Sequence, residues 1–304
     1  MRLIILGTLI VVALSWTAHA PGSDPVFGHL TDEEWAQQYL MPIDPMEDPT
    51  PPKYMGGLDG TPVLDDFDWR DDNKYGHCIS PIRDQGACGS CWAFATSEVA
   101  QDKWCFATQE EITFSPQHLM DCDTKESGCA GAVTDRVIFW IEDHELVEDK
   151  CYPYHAKVET CDLKGCPEYH MKNARTYTGS KATIDNIVDD LVANGPLYFS
   201  MQVYADLKNY DGGVYVAKTS LRSGGHAVEV VGYGEMDKDD PERIEGKFET
   251  THYWIIANSW GMRWGEGGYF RIRMDQNIAY KAGTFEADLD RRPQTATPFS
   301  SIVF

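Results

Sequence analysis

A cysteine at the predicted start of a helix is the residue of this sequence best suited to act as a nucleophile. Cys91 ends a loop that begins at Gln85, and residues 92–105 lack Gly and Pro and contain many good helix formers. The unpaired N–H groups and the positive dipole end of a helix start favour a thiolate over a thiol. We therefore expect the pKa of Cys91 to be lowered and its sulfur to be reactive.

Two later stretches contain groups that could assist such a thiolate. His226 follows two glycines at the start of an apolar run, and Asn258 follows the apolar residues 253–257. An imidazole exchanges protons near neutral pH, and a carboxamide oxygen can fix the orientation of the ring. A lone His, Asn or Gln is usually structural, but a thiol, a base and an orienting group together indicate acyl transfer.

These segments resemble the papain family of cysteine peptidases. Residues 88–92, Cys-Gly-Ser-Cys-Trp, match the signature around the nucleophile of that family. Residues 225–227, Gly-His-Ala, and residues 258–261, Asn-Ser-Trp-Gly, resemble the surroundings of its histidine and asparagine. The resemblance covers about residues 64–288 and is to the cathepsin B branch.

The resemblance implies a role for each polar residue. Cys91 would attack the peptide carbonyl, and His226, held as imidazolium beside the thiolate, would protonate the leaving amine and then activate water. Asn258 would hold the second ring nitrogen, with Trp260 shielding that bond from water. Gln85 and the backbone N–H of Cys91 would form the oxyanion hole.

Substrate-binding positions are implied in the same way. Ala132 stands where the family segment Gly-Cys-Asn-Gly-Gly has its last glycine, so its backbone stays available but its methyl group crowds the cleft. Ala282 aligns with the floor of the pocket for the second residue before the cut, where cathepsin B has an acid. An apolar floor favours Leu, Val or Phe over Arg. The other substrate-binding residues implied are Gly131, Gly225, Ala227 and Trp260.

The loop between Cys151 and Cys161 is short. It has nine residues and one histidine, His155. In cathepsin B a long loop with two histidines blocks the primed end of the cleft and makes the enzyme a dipeptidyl carboxypeptidase. We therefore expect an open cleft and an endopeptidase.

The cysteine count fits this interpretation. The chain has nine cysteines, and an odd number in a secreted protein leaves one thiol unpaired. If that thiol is Cys91, spacing alone leaves about 105 ways to pair the other eight. Resemblance to cathepsin B implies the pairs Cys78–Cys105, Cys88–Cys129, Cys122–Cys161 and Cys151–Cys166.

Charge and composition restrict the partners. The net charge of −22 argues against nucleic acid or an anionic membrane, because both favour Lys and Arg. No metal or organic cofactor is implied. The expected partners are protein and peptide substrates, the protein's own propeptide and cystatin-like inhibitors, and we expect a monomer.

The N-terminal region is interpreted as processed. Residues 1–20 have Arg2, an apolar run and a small-residue cleavage site at 18–20, which is typical of a signal peptide. Residues 21–63 are acidic and rich in proline, with a capping box from Thr31 to Glu34. By resemblance they form a short inhibitory propeptide that lies through the cleft. These features indicate the secretory pathway, with delivery to a lysosome-like vacuole or secretion.

Helical patterns precede strand patterns along the rest of the chain. This order predicts an α+β fold with two lobes: a helical lobe over about residues 64–175 and a β-barrel-like lobe over about residues 176–288. Cys91 would lie in the first lobe and His226 and Asn258 in the second, with the substrate cleft between them. The acidic stretch 235–250 is expected to be a hairpin insertion, and residues 289–304 a loose tail.

Two other functions remain open from the residues. Cys88 and Cys91 form a C-x-x-C motif, which is typical of thiol–disulfide oxidoreductases, although those need both sulfurs to cycle and a βαβ context. An inactive family member could act as a binding protein, although all four catalytic positions carry competent residues.

Overall fold

The computed structural model describes residues 16–20, 22–42, 54, 66–163, 165–276 and 278–293. Most of the expected leader, nearly all of the proline-rich run, the expected end of the propeptide and the end of the tail lie outside these residues. The helices of the described part are α1 (Asp32–Tyr39), α2 (Cys91–Thr108), α3 (Pro116–Cys122), α4 (Thr134–Asp143) and α5 (Ile184–Asn194). The strands are β1 (Trp16–Ala18), β2 (Phe67–Asp68), β3 (Glu145–Leu146), β4 (Tyr169–Tyr177), β5 (Leu197–Tyr204), β6 (Tyr210–Tyr215), β7 (Arg222–Glu235), β8 (His252–Ala257), β9 (Tyr269–Arg273) and β10 (Ile278–Ala287).

Helix α2 is the buried centre of the helical half. It begins at Cys91, where the sequence predicts a helix start, and its residues are buried from Cys91 to Cys105. Its apolar side chains belong to a core with α3 and α4, and the helix also packs against β7. The helix that begins at Cys91 and the strand that carries His226 therefore share one interface.

Side chains cap the first turns of α1, α3 and α5, and the capping box of α1 is the one that the sequence predicts. The Thr31 hydroxyl accepts from the Glu34 N–H while the Glu34 carboxylate accepts from the Thr31 N–H, which completes the capping box of α1. The Ser115 side chain caps α3, whose first turn contains a proline, and Thr183 caps α5. Local sequence therefore fixes where these helices begin.

A sheet in the order β1-β6-β9-β8-β7-β5-β10-β4-β3 forms the other half, with β2 added on β7. Neighbouring strands are antiparallel except for β6 and β9. Strand β7 pairs with both β5 and β8, and β8 ends one residue before Asn258. His226 and Asn258 thus come from adjacent strands of one rigid sheet.

One expectation about the sheet is wrong, and one of its strands is not predicted. The described strands form an open sheet with β1 and β3 at its edges, not a barrel-like lobe. The sheet also includes β4, which begins at Tyr169 inside the stretch expected to be mostly helical. The sequence does not reveal β4 because Lys172, Asn173 and Arg175 interrupt its apolar alternation. Strand β10 is equally hard to find, since it contains Gly283 and its pairing with β4 and β5 shifts register.

The acidic insertion leaves the strands in place, as expected. Strands β7 and β8 stay paired to the last residues, where Glu235 lies opposite His252. Arg243 ties the insertion to the hairpin through the carboxylate of Glu235, the last residue of β7, at 2.5 Å, and pairs with Glu245 of the insertion itself at 2.6 Å. The insertion therefore extends from the hairpin without moving Asn258.

Four disulfides stabilise the described chain. They are Cys78–Cys105, Cys88–Cys129, Cys122–Cys161 and Cys151–Cys166, the same pairs that the resemblance implies.

The N-terminal residues lie against the sheet. Strand β1 pairs with β6, and the Trp16 indole N–H donates to the Val216 carbonyl at 3.1 Å. Cleavage after Ala20 would therefore remove this strand from the protein. No helix of the described residues is both long enough and apolar enough to span a membrane.

Candidate active site

The contact between α2 and β7 brings Cys91 next to the histidine segment. The backbone N–H of Ala227 donates to Cys91 Sγ at 3.4 Å. Cys91 is fully buried and is the free cysteine of the described chain. Cys88, the other cysteine of the C-x-x-C motif, is bonded to Cys129. The Cys91 thiol therefore has no partner sulfur in its own motif.

Asn258 holds the ring of His226. Asn258 Oδ1 lies 2.8 Å from His226 Nε2 and also accepts from the Ser259 N–H at 2.8 Å, which fixes the oxygen toward the ring. Nε2 then carries the proton. Nδ1 is buried without a hydrogen-bond partner among the described residues. The indole of Trp260 stacks on the imidazole, with ring centroids 4.7 Å apart and an interplanar angle of 27°.

Gln85 is buried with its amide nitrogen directed at backbone carbonyls. Nε2 donates to the Cys88 carbonyl at 2.8 Å and to the Tyr39 carbonyl at 3.0 Å. Oε1 accepts from the Ser259 hydroxyl at 2.7 Å, and the Gln85 backbone N–H donates to the Ser259 carbonyl at 2.9 Å. Ser259 therefore fixes which end of the amide is free to donate.

The chain after α1 covers this site. Met41 and Gly225 exchange two backbone hydrogen bonds, each 2.9 Å long. A Cβ atom at Gly224 would lie 2.6 Å from the Met41 carbonyl oxygen, and one at Gly131 would lie 2.9 Å from the Met41 side chain. Met41 can approach this closely, with its carbonyl at Gly224 and its side chain at Gly131, only because both positions are glycine.

Aromatic packing holds the covering segment over the histidine. Phe27 and Trp35 are fully buried, and their rings meet Trp260 edge-on with centroids 5.5 and 5.4 Å apart. Trp260 in turn stacks on His226. Edge-to-face aromatic pairs add to the area that they bury. The segment is therefore anchored on the residue that shields the imidazole.

Burial favours the neutral forms of both reactive groups in this covered site. It raises the pKa of Cys91 to about 12, although the Ala227 N–H acts in the opposite direction. It lowers the pKa of His226 to about 4, against the hydrogen bond to Asn258, which raises it. The lowered cysteine pKa expected from the helix start is thus not found here, because loss of solvent outweighs the helix end.

The predicted substrate-binding residues are only partly brought together. Gly131 and Gly225 lie against Met41, and Ala132 packs against the same core as Met41. Ala282 is fully buried in β10, in the separate core of the β-rich half. Its place at the floor of a specificity pocket stays a prediction.

The short loop after Cys151 lies beside Gln85. The Tyr154 hydroxyl donates to the Gln85 carbonyl at 2.7 Å. His155 instead pairs with Glu159 of its own loop, with Nδ1 2.7 Å from the carboxylate. The Ala156 methyl group lies 3.6 Å from where a Cβ atom of Gly86 would be. This loop therefore supports the site from the side.

One set of side chains in the described part of the chain has donor atoms close enough to share a metal ion. It consists of His77, Cys78 and Cys105. Both cysteines are joined in a disulfide, so their sulfurs are not thiolate ligands.

Sequence reasoning misses three residues of this arrangement. Ser259 follows Asn258 directly, so its contact with Gln85 could have been suspected from that adjacency. The Tyr39 carbonyl is a backbone group and gives no signal in a residue pattern. Tyr154 lies in a loop, and no general spacing in the sequence links such a tyrosine to Gln85.

Comparison with known proteins gives consistent matches. The profile of the papain family cysteine proteases matches residues 63–287. Cathepsin B-like CP3 of Giardia intestinalis is 34% identical over 266 residues, which are 84% of this chain and 83% of that protein. Cathepsin B-like CP2 of the same organism is 33% identical over 267 residues, with the same coverage.

Solved structures share the fold. ProCathepsin B S9 from Trypanosoma congolense superposes with a TM-score of 0.71 at 23% identity, covering 90% of this chain and 93% of that chain. This coverage is longer than the protease region, residues 63–287, that the family profile matches.

Proposed function

Because the chain belongs to the papain family of cysteine proteases, we propose that it is an endopeptidase that uses Cys91 and His226 and is made as a zymogen. The observation that carries the proposal is that Cys91, His226 and Asn258 lie next to one another. Asn258 fixes the His226 ring at 2.8 Å, and the N–H next to His226 meets Cys91 Sγ at 3.4 Å. A nucleophile, a base and an orienting group are what acyl transfer through a thiol requires.

The reaction has two steps. The Cys91 thiolate attacks the peptide carbonyl carbon, and the His226 imidazolium protonates the leaving amine as the C–N bond breaks, which leaves a thioester. Neutral His226 then removes a proton from water, whose oxygen attacks the thioester carbon. The product acid leaves and the thiolate returns.

The oxyanion formed in each step would bind between the Gln85 amide and the Cys91 backbone N–H. Gln85 Nε2 already donates to one carbonyl from outside the protease region, that of Tyr39. A substrate oxyanion would take the place of this carbonyl oxygen. Loss of one such donor typically costs about 10²–10³ in rate.

The covering segment is the inhibitory propeptide in this proposal. Its support is the strand-like pairing of Met41 with Gly225 and the packing of Trp35 on Trp260. The matched procathepsin structure is itself a proenzyme. Removing residues 22–42 would return solvent to Cys91 and His226 and allow the thiolate–imidazolium pair to form.

An open cleft is supported by the short loop between Cys151 and Cys161. His155 is paired with Glu159 and is not part of a long insertion. Nothing in the loop supplies the two histidines that would bind a substrate's terminal carboxylate. The cleft would then accept a polypeptide on both sides of the cut, and the buried Ala282 would favour an apolar second residue.

The redox alternative is less well supported. A C-x-x-C enzyme needs both sulfurs to exchange, whereas Cys88 is bonded to Cys129 in this chain. The expected setting remains the secretory pathway, with a lysosome-like vacuole or the exterior as destination. Four disulfides are in keeping with an oxidising compartment.

The test is product analysis on an internally quenched peptide with blocked termini. Full-length protein activated at acid pH should cut inside the peptide, mainly at bonds where Leu, Val or Phe is the second residue before the cut. Stepwise release of dipeptides from the C-terminus of an unblocked peptide would refute the endopeptidase proposal while keeping the family chemistry. No cleavage by wild type would refute the peptidase itself.

A further inference from the structure

The loop from Gln85 to Cys91 must hold two oxyanion donors, yet little in its own sequence makes it rigid. It contains Gly86 and Gly89, and the backbone of Gly86 is left-handed with φ +57°. Glycines give the loop its shape but leave it more backbone freedom than any other residue. The Cys88–Cys129 disulfide ties the middle of the loop and Ser259 holds Gln85, but neither contact joins Gln85 to Ser90, the residue before Cys91.

The Tyr154 hydroxyl joins the two ends. It lies 2.7 Å from the Gln85 carbonyl oxygen and 2.6 Å from the Ser90 hydroxyl. A carbonyl can only accept, so Tyr154 donates to Gln85 and accepts from Ser90. Ser90 directly precedes Cys91, so one hydroxyl spans the loop from its first residue to the residue before the nucleophile.

The tyrosine is itself well anchored. Its ring meets Phe94, one turn into α2, edge-on with centroids 4.7 Å apart. It belongs to the segment between two disulfides, Cys151–Cys166 and Cys122–Cys161. Burial raises the pKa of Tyr154 to about 12, so the hydroxyl keeps its proton and remains a donor at any pH at which a cysteine peptidase works.

We propose that Tyr154 is a positioning residue for the oxyanion hole, one that fixes Gln85 relative to Ser90 and so sets the separation of the Gln85 amide and the Cys91 N–H. This proposal rests on the proposed role of Gln85 in the oxyanion hole. Tyr154 touches no reacting atom. Its effect reaches the reaction through the geometry of the donors, where a misplacement of about 1 Å can cost up to 10²-fold.

The test compares Tyr154→Phe with Tyr152→Phe in acid-activated full-length protein. Tyr152 is a matched control, since its hydroxyl is in the same loop but donates to Asp121 at 3.0 Å. Two probes separate the roles. A peptide aldehyde adds the thiol across its C=O bond, and the resulting hemithioacetal oxygen occupies the oxyanion hole. Iodoacetamide alkylates the same thiol with loss of iodide and forms no oxyanion.

Tyr154→Phe should lower kcat about tenfold with little change in KM and should weaken aldehyde inhibition about as much. The rate of alkylation by iodoacetamide should stay within about twofold of wild type. Tyr152→Phe should change none of these. In a Gln85→Ala background, Tyr154→Phe should have almost no further effect on kcat, because the donor that it positions is gone.

Several results would overturn the proposal. One is a wild-type kcat in Tyr154→Phe. Another is a loss of alkylation rate in Tyr154→Phe as large as its loss of aldehyde affinity, which would indicate that the whole site is disturbed. A full additional loss in the Gln85→Ala background would also do so. If Tyr154→Phe does not fold, Ser90→Ala removes the other half of the bridge while keeping the ring on Phe94, and the same predictions hold. If Gln85→Ala itself leaves kcat unchanged, it is the proposed role of Gln85 that fails.

Discussion

The side-chain amide of Gln85 donates a 3.0 Å hydrogen bond to the backbone carbonyl of Tyr39. Gln85 belongs to the protease region and Tyr39 to the segment before it. A donor suited to an oxyanion is thus occupied by a neutral carbonyl of the same chain. On the proposed function, this contact would have to break before the Gln85 amide could bind a substrate oxyanion.

Loss of the aromatic anchor should uncover the site. Trp35 is fully buried against Trp260, and a Trp→Ala change in such a position typically costs about 3–5 kcal/mol. Trp35→Ala should therefore raise peptide hydrolysis by the uncleaved full-length chain at neutral pH at least about tenfold. Gln37→Ala, on the exposed face of the same helix, is the control and should not. Equal rates for both variants would contradict the anchoring role.

Acid should loosen the covering segment. Burial lowers the pKa of His226 to about 4 from its ordinary 6.5, so in a Cys91→Ala chain, where no thiolate pairs with the ring, the uncovered form binds an extra proton between these pH values. The stabilisation of the covered form is therefore complete above pH 6.5 and is lost as pH falls toward 4. Hydrogen exchange of the Met41 N–H in a Cys91→Ala chain, corrected for intrinsic rates, should show less protection at pH 4.5 than at pH 7. Constant protection would contradict this.

A buried carboxyl cluster between α2 and β7 should make stability fall at higher pH. It consists of Glu98, Asp102 and Glu229, and burial first, then mutual repulsion, raises the pKa of Glu229 and Asp102 well above the usual range. The pKa of Glu98 rises to about 8, mainly through burial, although Arg83 opposes this. Other charged or titratable groups nearby are Lys103, Arg70 and Tyr269.

These pKa values are raised in the folded state. The contribution of the three carboxyl groups to the free energy of unfolding is therefore complete below about pH 4.5 and declines as pH rises toward 8. The urea midpoint of the Cys91→Ala chain should therefore fall between pH 6.5 and 8, above the range in which His226 titrates. Glu229→Gln keeps a polar group but removes one charge, and should flatten the profile. A midpoint that rises with pH, or that falls equally in Glu229→Gln, would contradict the assignment.

Asn258 should matter for turnover more than for folding. Without its oxygen the His226 ring loses the contact that fixes its tautomer, and general acid–base catalysis is worth about 10²–10⁴ in rate. Asn258→Ala should lower kcat by about 10² with little change in KM. Asn73→Ala, an exposed amide, is the control. A large rise in KM with unchanged kcat would show that Asn258 serves binding instead.

Ala282→Glu tests the predicted pocket floor. If Ala282 lines the pocket, the new carboxylate reaches the cleft, and substrates with Arg at the second position before the cut should gain relative to Leu. If Ala282 faces only the core, the buried charge should destabilise the fold, with no such gain. Relative kcat/KM for the two peptides together with the melting temperature distinguishes these outcomes.

The sequence predicts those features that depend on local chemistry. The start of α2 at Cys91 and the capping box of α1 follow from residue types a few positions apart, and both are found. The order of helices and strands gives the α+β class. Strand β4 and the open sheet depend on which strands pair across the chain, and the polar side chains of β4 conceal its role.

The candidate site also has features that the sequence predicts and features that only the folded chain shows. The identities of Cys91, His226 and Asn258 follow from motifs, whereas the protonation of the first two depends on what covers them. Burial raises the pKa of Cys91 to about 12 and so reverses the shift expected for a cysteine at a helix start. A bridge such as that of Tyr154 involves a hydroxyl and a backbone carbonyl, and motif spacing does not show such contacts.

The most direct measurement is labelling of the acid-activated protein by an epoxysuccinyl thiol reagent, with the modified residue located by mass spectrometry. The account predicts one label per chain at Cys91, loss of peptide hydrolysis in proportion to labelling, and neither label nor activity in Cys91→Ala. Peptide hydrolysis that survives complete labelling, or that persists in Cys91→Ala, would contradict it.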